Sequence, residues 1–209
     1  YREVPRLLRP LGRWIIKLQL SLCLKKIDGG WLSNPQQARM LKCKNSIAGL
    51  KNTALSPSEG YNKESSREPM LVIVGAMSYY PNYTGVDKFL DEIWTTVSKQ
   101  FPDLKHAIIG RETPVEYSKR WESYSNVKQL GYVNDLQSLY ERCLAVVVPI
   151  YSGGGTCVKT IEAMSHSRVC LSSRFGARGL EECLNMKIKG LQVFESVDDF
   201  IALLNHSVL

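Results

Sequence analysis

The sequence predicts an α/β protein built on a doubly wound parallel sheet, and three observations predict it. Short apolar runs without polar alternation recur at 71–74, 107–109, 145–150, 169–171 and 191–194, as strands buried on both faces do. Segments of helical period lie between them, at 86–97, 114–121, 136–143, 158–164 and 197–204, which is the pattern of βαβ units. Several runs stop at a glycine, with Gly75 after Val74, Gly110 after Ile109 and Gly131 after Leu130. In such a sheet, ligands collect at the carboxyl ends of the strands, near the point where strand order reverses.

Residues 70–209 hold all of this regular pattern, so they form the expected domain. Residues 58–69, polar and carrying Pro, Gly and Ser, read as a linker. Ahead of them, residues 4–27 look helical, Gly30-Trp31-Leu32 suits a short strand, and Ser33 or Asn34 caps a helix with Pro35 in its first turn, running to about Cys43. Residues 1–57 are too few for a core of this kind and read as the end of a preceding domain. The first residue is Tyr1 rather than Met, so an upstream segment, including any targeting signal, is expected to be missing.

Charge is divided along the chain. Residues 1–69 carry 13 Lys and Arg against 5 Asp and Glu, a net +8, and the remainder carries 14 against 15, a net −1. A solvated helix face is the first reading of the basic segment, and peripheral contact with an acidic membrane surface is the second. No aromatic-basic pattern accompanies it, so no nucleic-acid partner is expected. No run reaches the roughly 18 apolar residues of a membrane span. The six cysteines are scattered without a C-x-x-C pair or a histidine at ligand spacing, which points to free thiols, a reducing compartment and no structural metal. The glycosylation triplets at Asn82 and Asn205 pull the other way but arise often by chance.

The stretch that carries chemistry runs from Val148 to Met164 and reads as strand, glycine-rich turn, then helix. Gly153-Gly154-Gly155-Thr156 lets backbone approach a ligand without a β-carbon, and free amides at a helix start favour an anion. Lys159 adds a full charge. Thr156, Lys159 and Ala163 share a face at helical spacing, with Glu162 at its border. From Thr156 to Glu162 the rise is roughly 9 Å at ~1.5 Å per residue, about the distance from a diphosphate to the ribose of one nucleotide. The plainer reading stays open on spacing alone, because Lys159 and Glu162 also suit an ordinary surface pair.

Gly153 to Met164 resembles the "GGGT-x-x-K-x-x-EAM" signature of the retaining GT-B glycosyltransferases of the glycosyl transferases group 1 type. Leu71 to Asn82 resembles the family's first strand and loop, Gly131-Tyr132-Val133-Asn134-Asp135-Leu136 its "G-[FY]-V-x-D-L" turn, and Phe175 to Leu180 its "G-A-x-G-L". The resemblance covers about residues 70–204 and implies a Rossmann-like, nucleotide-sugar donor-binding half of a GT-B fold. It implies a hexosyltransferase-like enzyme that moves a sugar, with retention, from a nucleotide-diphosphate sugar to a glycan, lipid or small-molecule acceptor. No metal and no cofactor is implied, and no Asp-x-Asp motif is present.

By that resemblance Glu162 binds the donor's ribose, while Gly154, Gly155, Thr156 and Lys159 hold its phosphates. Lys159 and Glu162 are then the expected catalytic pair. The backbone near Tyr132, Val133 and Leu136 receives the base, and Gly75 sits beside the donor. Three positions depart from the pattern. Gly154 stands where many relatives carry a first glutamate, Cys157 where an arginine commonly follows the threonine, and Arg178 where a glutamate is usual. These departures keep a second expectation alive, a catalytically degenerate nucleotide-sugar-binding module, and the chain as given is expected to be incomplete for turnover. His106 and His166 read as structural, and Arg111-Glu112 as a rim contact or an exposed ion pair. The cytoplasm, or the cytoplasmic face of a membrane, is the expected location.

Overall fold

A computed structural model of the protein describes residues 67–166 and 168–208, together with positions 10, 14, 15, 18, 19, 22, 31, 32, 48 and 49. The chain divides into two compact units, Tyr1–Lys51 and Asn52–Leu209. In the first unit, strand β1 (Trp31–Leu32) pairs in parallel with β2 (Ala48–Gly49), Trp31 facing Ala48. The helix expected over 35–43 and the linker over 58–69, apart from its last three residues, lie outside the described residues.

The second unit carries a six-stranded sheet in the order β5-β4-β3-β6-β7-β8. These strands are β3 (Met70–Val74), β4 (Lys105–Ile109), β5 (Val127–Gly131), β6 (Ala145–Val148), β7 (Val169–Ser173) and β8 (Leu191–Phe194). Every pairing among them is parallel. The order runs outward from β3 to β5 on one side and from β6 to β8 on the other, so the switch point lies between β3 and β6.

Alternate residues of β3 explain the two layers. Leu71 and Ile73 enter a core with Phe89, Trp94, Trp121 and Phe200, and Met70 and Val72 enter a second with Tyr140, Ala163 and Cys170. The first core lies under α1 (Tyr80–Phe89), a π-helical turn (Leu90–Trp94), α2 (Thr95–Gln100) and α3 (Val115–Trp121). The second lies under α4 (Leu136–Arg142), α5 (Val158–Ser165) and α6 (Glu181–Asn185). Helix α7 (Val197–Leu203) returns to the first core, its start closed by a Ser196–Asp199 capping box. Buried indoles find partners: Trp94 Nε1 donates to the Ser125 carbonyl at 2.9 Å and Trp121 Nε1 to Asp87 at 3.1 Å. His106 does not. It is fully buried between Phe89 and Trp94, and neither ring nitrogen has a hydrogen-bond partner.

Two elements differ from the sequence reading. Helix α1 begins at Tyr80, six residues before the expected start, with Pro81 in its first turn, where a missing amide hydrogen costs nothing. Helix α6 was not expected at all, for none of its residues is buried and so no apolar period marks it.

Candidate functional site

The glycine-rich turn follows β6 and therefore stands at the switch point beside the end of β3. Gly153 and Gly155 hold φ of +124° and +68°, a region open to glycine and strained for other residues. Helix α5 starts at Val158, where the helical period placed it. Cys157 is its N-cap and Val158 its first residue, so Thr156 precedes the helix, and the helical rise cannot be counted from it. Ala163 is fully buried against the sheet, so it shares no ligand face with Lys159. Thr156 instead packs on Gly179, where an added β-carbon would meet its Oγ1 at 2.8 Å.

Lys159 is brought to the end of β3. Its Nζ donates to Asn82 Oδ1 at 3.2 Å, and Asn82 Nδ2 donates in turn to the Ala76 carbonyl at 2.6 Å. Gly75 makes the approach possible, because a β-carbon there would lie 2.6 Å from Lys159 Cε. Asn82 is itself 5% exposed, so this amide orients a lysine and the glycosylation triplet around it is not a surface acceptor. A small cavity below is lined by Val74, Met77, Val86 and Ile150 with Asn82 and Lys159. Among the described residues neither Lys159 nor Arg178 forms an ion pair. An ammonium oriented by a neutral amide beside open glycine backbone favours an incoming anion.

One turn along α5 from Lys159, Glu162 lies beside the Tyr140 hydroxyl. Burial, then the Glu162 charge, pushes that phenol above its usual range, so it keeps its proton. Tyr140 stacks on His166 at 4.5 Å between ring centroids, and His166 closes the helix as its C-cap. Burial lowers the His166 pKa against the opposing pull of Glu162 and Glu141. Buried Arg168 donates to the Tyr140 and Glu141 carbonyls.

The remaining expected residues lie at the end of β5. Tyr132 is 60% exposed, with the Arg111 guanidinium 3.7 Å from its ring centroid. Of the two readings of Arg111 and Glu112, a rim contact or an ion pair, the ion pair does not form among the described residues. Glu112 itself holds a positive φ of 63°. Val133 and Leu136 are half-buried against the second core. Gly75, Lys159 and the turn thus form one group, and Glu162 with Tyr140 a second. Asn82, Tyr140 and Arg178 are the neighbours that spacing did not reveal. The described cysteines, Cys143, Cys157, Cys170 and Cys183, are free thiols, and burial pushes Cys143 up to about 12. Among the described residues no group of acids, histidines and cysteines is placed to hold a metal, and no helix is long and apolar enough to cross a membrane.

Comparison with known proteins bears on this arrangement. The family described as "Glycosyl transferases group 1" matches residues 68–206. No curated protein matches the sequence. Among solved structures, TarM is similar with a TM-score of 0.68 at 18% identity, over 94% of this chain and 39% of that one. HepE of Anabaena, in complex with UDP and glucose, has a TM-score of 0.64 at 10% identity, over 90% and 56%. WaaG, a glycosyltransferase involved in lipopolysaccharide biosynthesis, has a TM-score of 0.60 at 12% identity, over 85% and 53%. The chain therefore spans well under two thirds of each of these structures. Their shared feature with it is the GT-B type of Rossmann-like parallel α/β fold.

Proposed function

The chain belongs to the glycosyl transferases group 1 family, and from that premise we propose that it binds the nucleotide-diphosphate sugar donor of a retaining, metal-independent hexosyltransferase. The observation that carries the reading is Lys159. Its ammonium is drawn across Gly75 by Asn82, at the strand switch and beside an open glycine turn, with no ion-pair partner among the described residues.

In this reading the donor's diphosphate lies on the turn. Lys159 and the amides of Gly154, Gly155 and Thr156 meet the charge that grows on the phosphate as the bond to the sugar breaks. Fixed dipoles and a fixed cation aimed at developing charge lower the barrier without reorganising. Glu162, beside Tyr140, accepts the ribose hydroxyls. The base rests near Tyr132, Val133 and Leu136. No cofactor takes part, and the acceptor is a glycan, lipid or small molecule.

The test is transfer from UDP-, GDP- and ADP-hexoses to a set of simple acceptors, with the anomeric configuration of the product read by NMR. A product of the donor's own configuration supports the reading, and an inverted product overturns the retaining assignment. Tight donor binding with no transfer supports the second reading, a degenerate binding module, for which Cys157 beside the turn is the favouring observation.

A further inference from the structure

Arg178 takes no part in the reading above, yet its placement is specific. It follows β7, and its guanidinium crosses to the glycine-rich turn. Nη2 donates to the Gly154 carbonyl at 2.8 Å and Nη1 to the Phe175 carbonyl at 2.8 Å, while the guanidinium carbon lies 4.3 Å from the centre of the Phe175 ring. Two more contacts lock this loop to the turn and to α5. Thr160 Oγ1 donates to the Gly176 carbonyl at 2.9 Å, and Gly179, at φ +82°, leaves room for Thr156. The cation is held in place.

A guanidinium has five N–H donors, and these bonds use two of them. Nε is buried without an acceptor. Burial also pulls the group below its usual pKa range, and among the described residues no carboxylate pairs with it. An arginine so placed gains from an arriving oxyanion. Its Nη2 lies 3.6 Å, and the Tyr79 hydroxyl 3.7 Å, from the point where a β-carbon on Gly153 would stand. A ligand resting on that glycine meets both.

Sheet order supplies the rest of the argument. Strands β3, β6 and β7 are neighbours in that order. The Lys159 side chain reaches the end of β3, Arg178 lies beyond the end of β7, and the glycine turn follows β6 between them. We propose that Arg178 is a second phosphate-binding cation of the donor pocket, which with Lys159 clamps the two phosphates of a diphosphate from opposite flanks of the turn. The inference rests on the donor-site reading. It further makes the pocket selective for a diphosphate over a monophosphate, because a single phosphate reaches one cation at a time.

The experiment is calorimetric titration of the full chain with UDP, GDP and ADP, each compared with its monophosphate and its nucleoside. Arg178→Ala should weaken the best-bound diphosphate by about 10-fold or more, leave the nucleoside within about 2-fold, and narrow the preference for diphosphate over monophosphate. Arg178→Lys should recover part of the loss through its charge. If Arg178→Ala lowers the melting temperature so far that binding cannot be read, Arg178→Gln, which keeps a donor toward Gly154, serves in its place. Unchanged diphosphate affinity in the arginine variants, with Lys159→Ala still weakened, overturns the clamp and leaves the donor site standing. Equal losses for diphosphate and nucleoside also overturn it, since the arginine would then merely shape the turn. No binding of any diphosphate by the unaltered chain overturns both the clamp and the donor site.

Discussion

Lys159 and Glu162 stand three residues apart on helix α5 and differ in kind. At its start Lys159 is oriented by a neutral amide, without an ion-pair partner among the described residues. One turn on, Glu162 lies beside the Tyr140 hydroxyl, and His166 stacks on the Tyr140 ring. The first arrangement leaves positive charge uncompensated and suits phosphate. The second presents a carboxylate, whose acceptor oxygens suit sugar hydroxyls. One short helix thus presents opposite chemistries a few ångströms apart, and a nucleotide diphosphate is a ligand that needs both.

The strongest way to break this contrast is to remove the support of the lysine end. Gly85 lets α1 approach the turn, since a β-carbon there would lie 2.0 Å from the Pro149 carbonyl oxygen. Backbone cannot yield as a flexible side chain can. Gly85→Ala should therefore cost about 3 kcal/mol of stability, visible as a lower denaturation midpoint, and should displace Asn82 from Lys159.

Acid offers a control that touches neither end. Burial lowers the His106 pKa to about 3, so between that value and about 6.5 the unfolded chain takes up a proton that the folded chain refuses. The stability this neutral imidazole confers is present above pH 6.5 and is lost as pH falls, by about 2 kcal/mol between pH 6.5 and 5. Replacing His106 by Phe should flatten that part of the pH profile in urea melts. The ratio of diphosphate to nucleoside affinity should not respond to the substitution.

The smallest effect sharpens the carboxylate end. Tyr140→Phe removes the hydroxyl beside Glu162, so nucleoside binding should weaken by about 1 kcal/mol. The additional affinity contributed by the phosphates should be unchanged. A loss confined to the phosphates would place Tyr140, and with it Glu162, at the wrong end of the ligand.

Sequence made the centre of this molecule legible and its margins less so. Strands β3 and β6 show as apolar runs because both their faces are covered. Strand β5 is an edge strand carrying Lys128 and Gln129, with none of its residues fully buried, and only its terminal glycine gave it away. The glycine turn was visible because its chemistry is local. The helix start was legible at Val158, but the rise counted from Thr156 was not, because Thr156 lies ahead of the Cys157 N-cap and its hydroxyl lies against Gly179. Asn82 and Arg178 were not found as partners of the turn because they lie 77 and 24 residues from the atoms they meet. Only the strand order brings them there.

The contrast between the two ends reduces to one measurement, the affinity of a diphosphate and of its nucleoside for Lys159→Ala and for Glu162→Ala. Lys159→Ala should lose about 1–3 kcal/mol for the diphosphate and almost nothing for the nucleoside, and Glu162→Ala should lose about 1–3 kcal/mol for both. Equal losses for the two ligands in Lys159→Ala, or unchanged affinity in a folded Glu162→Ala, would contradict it.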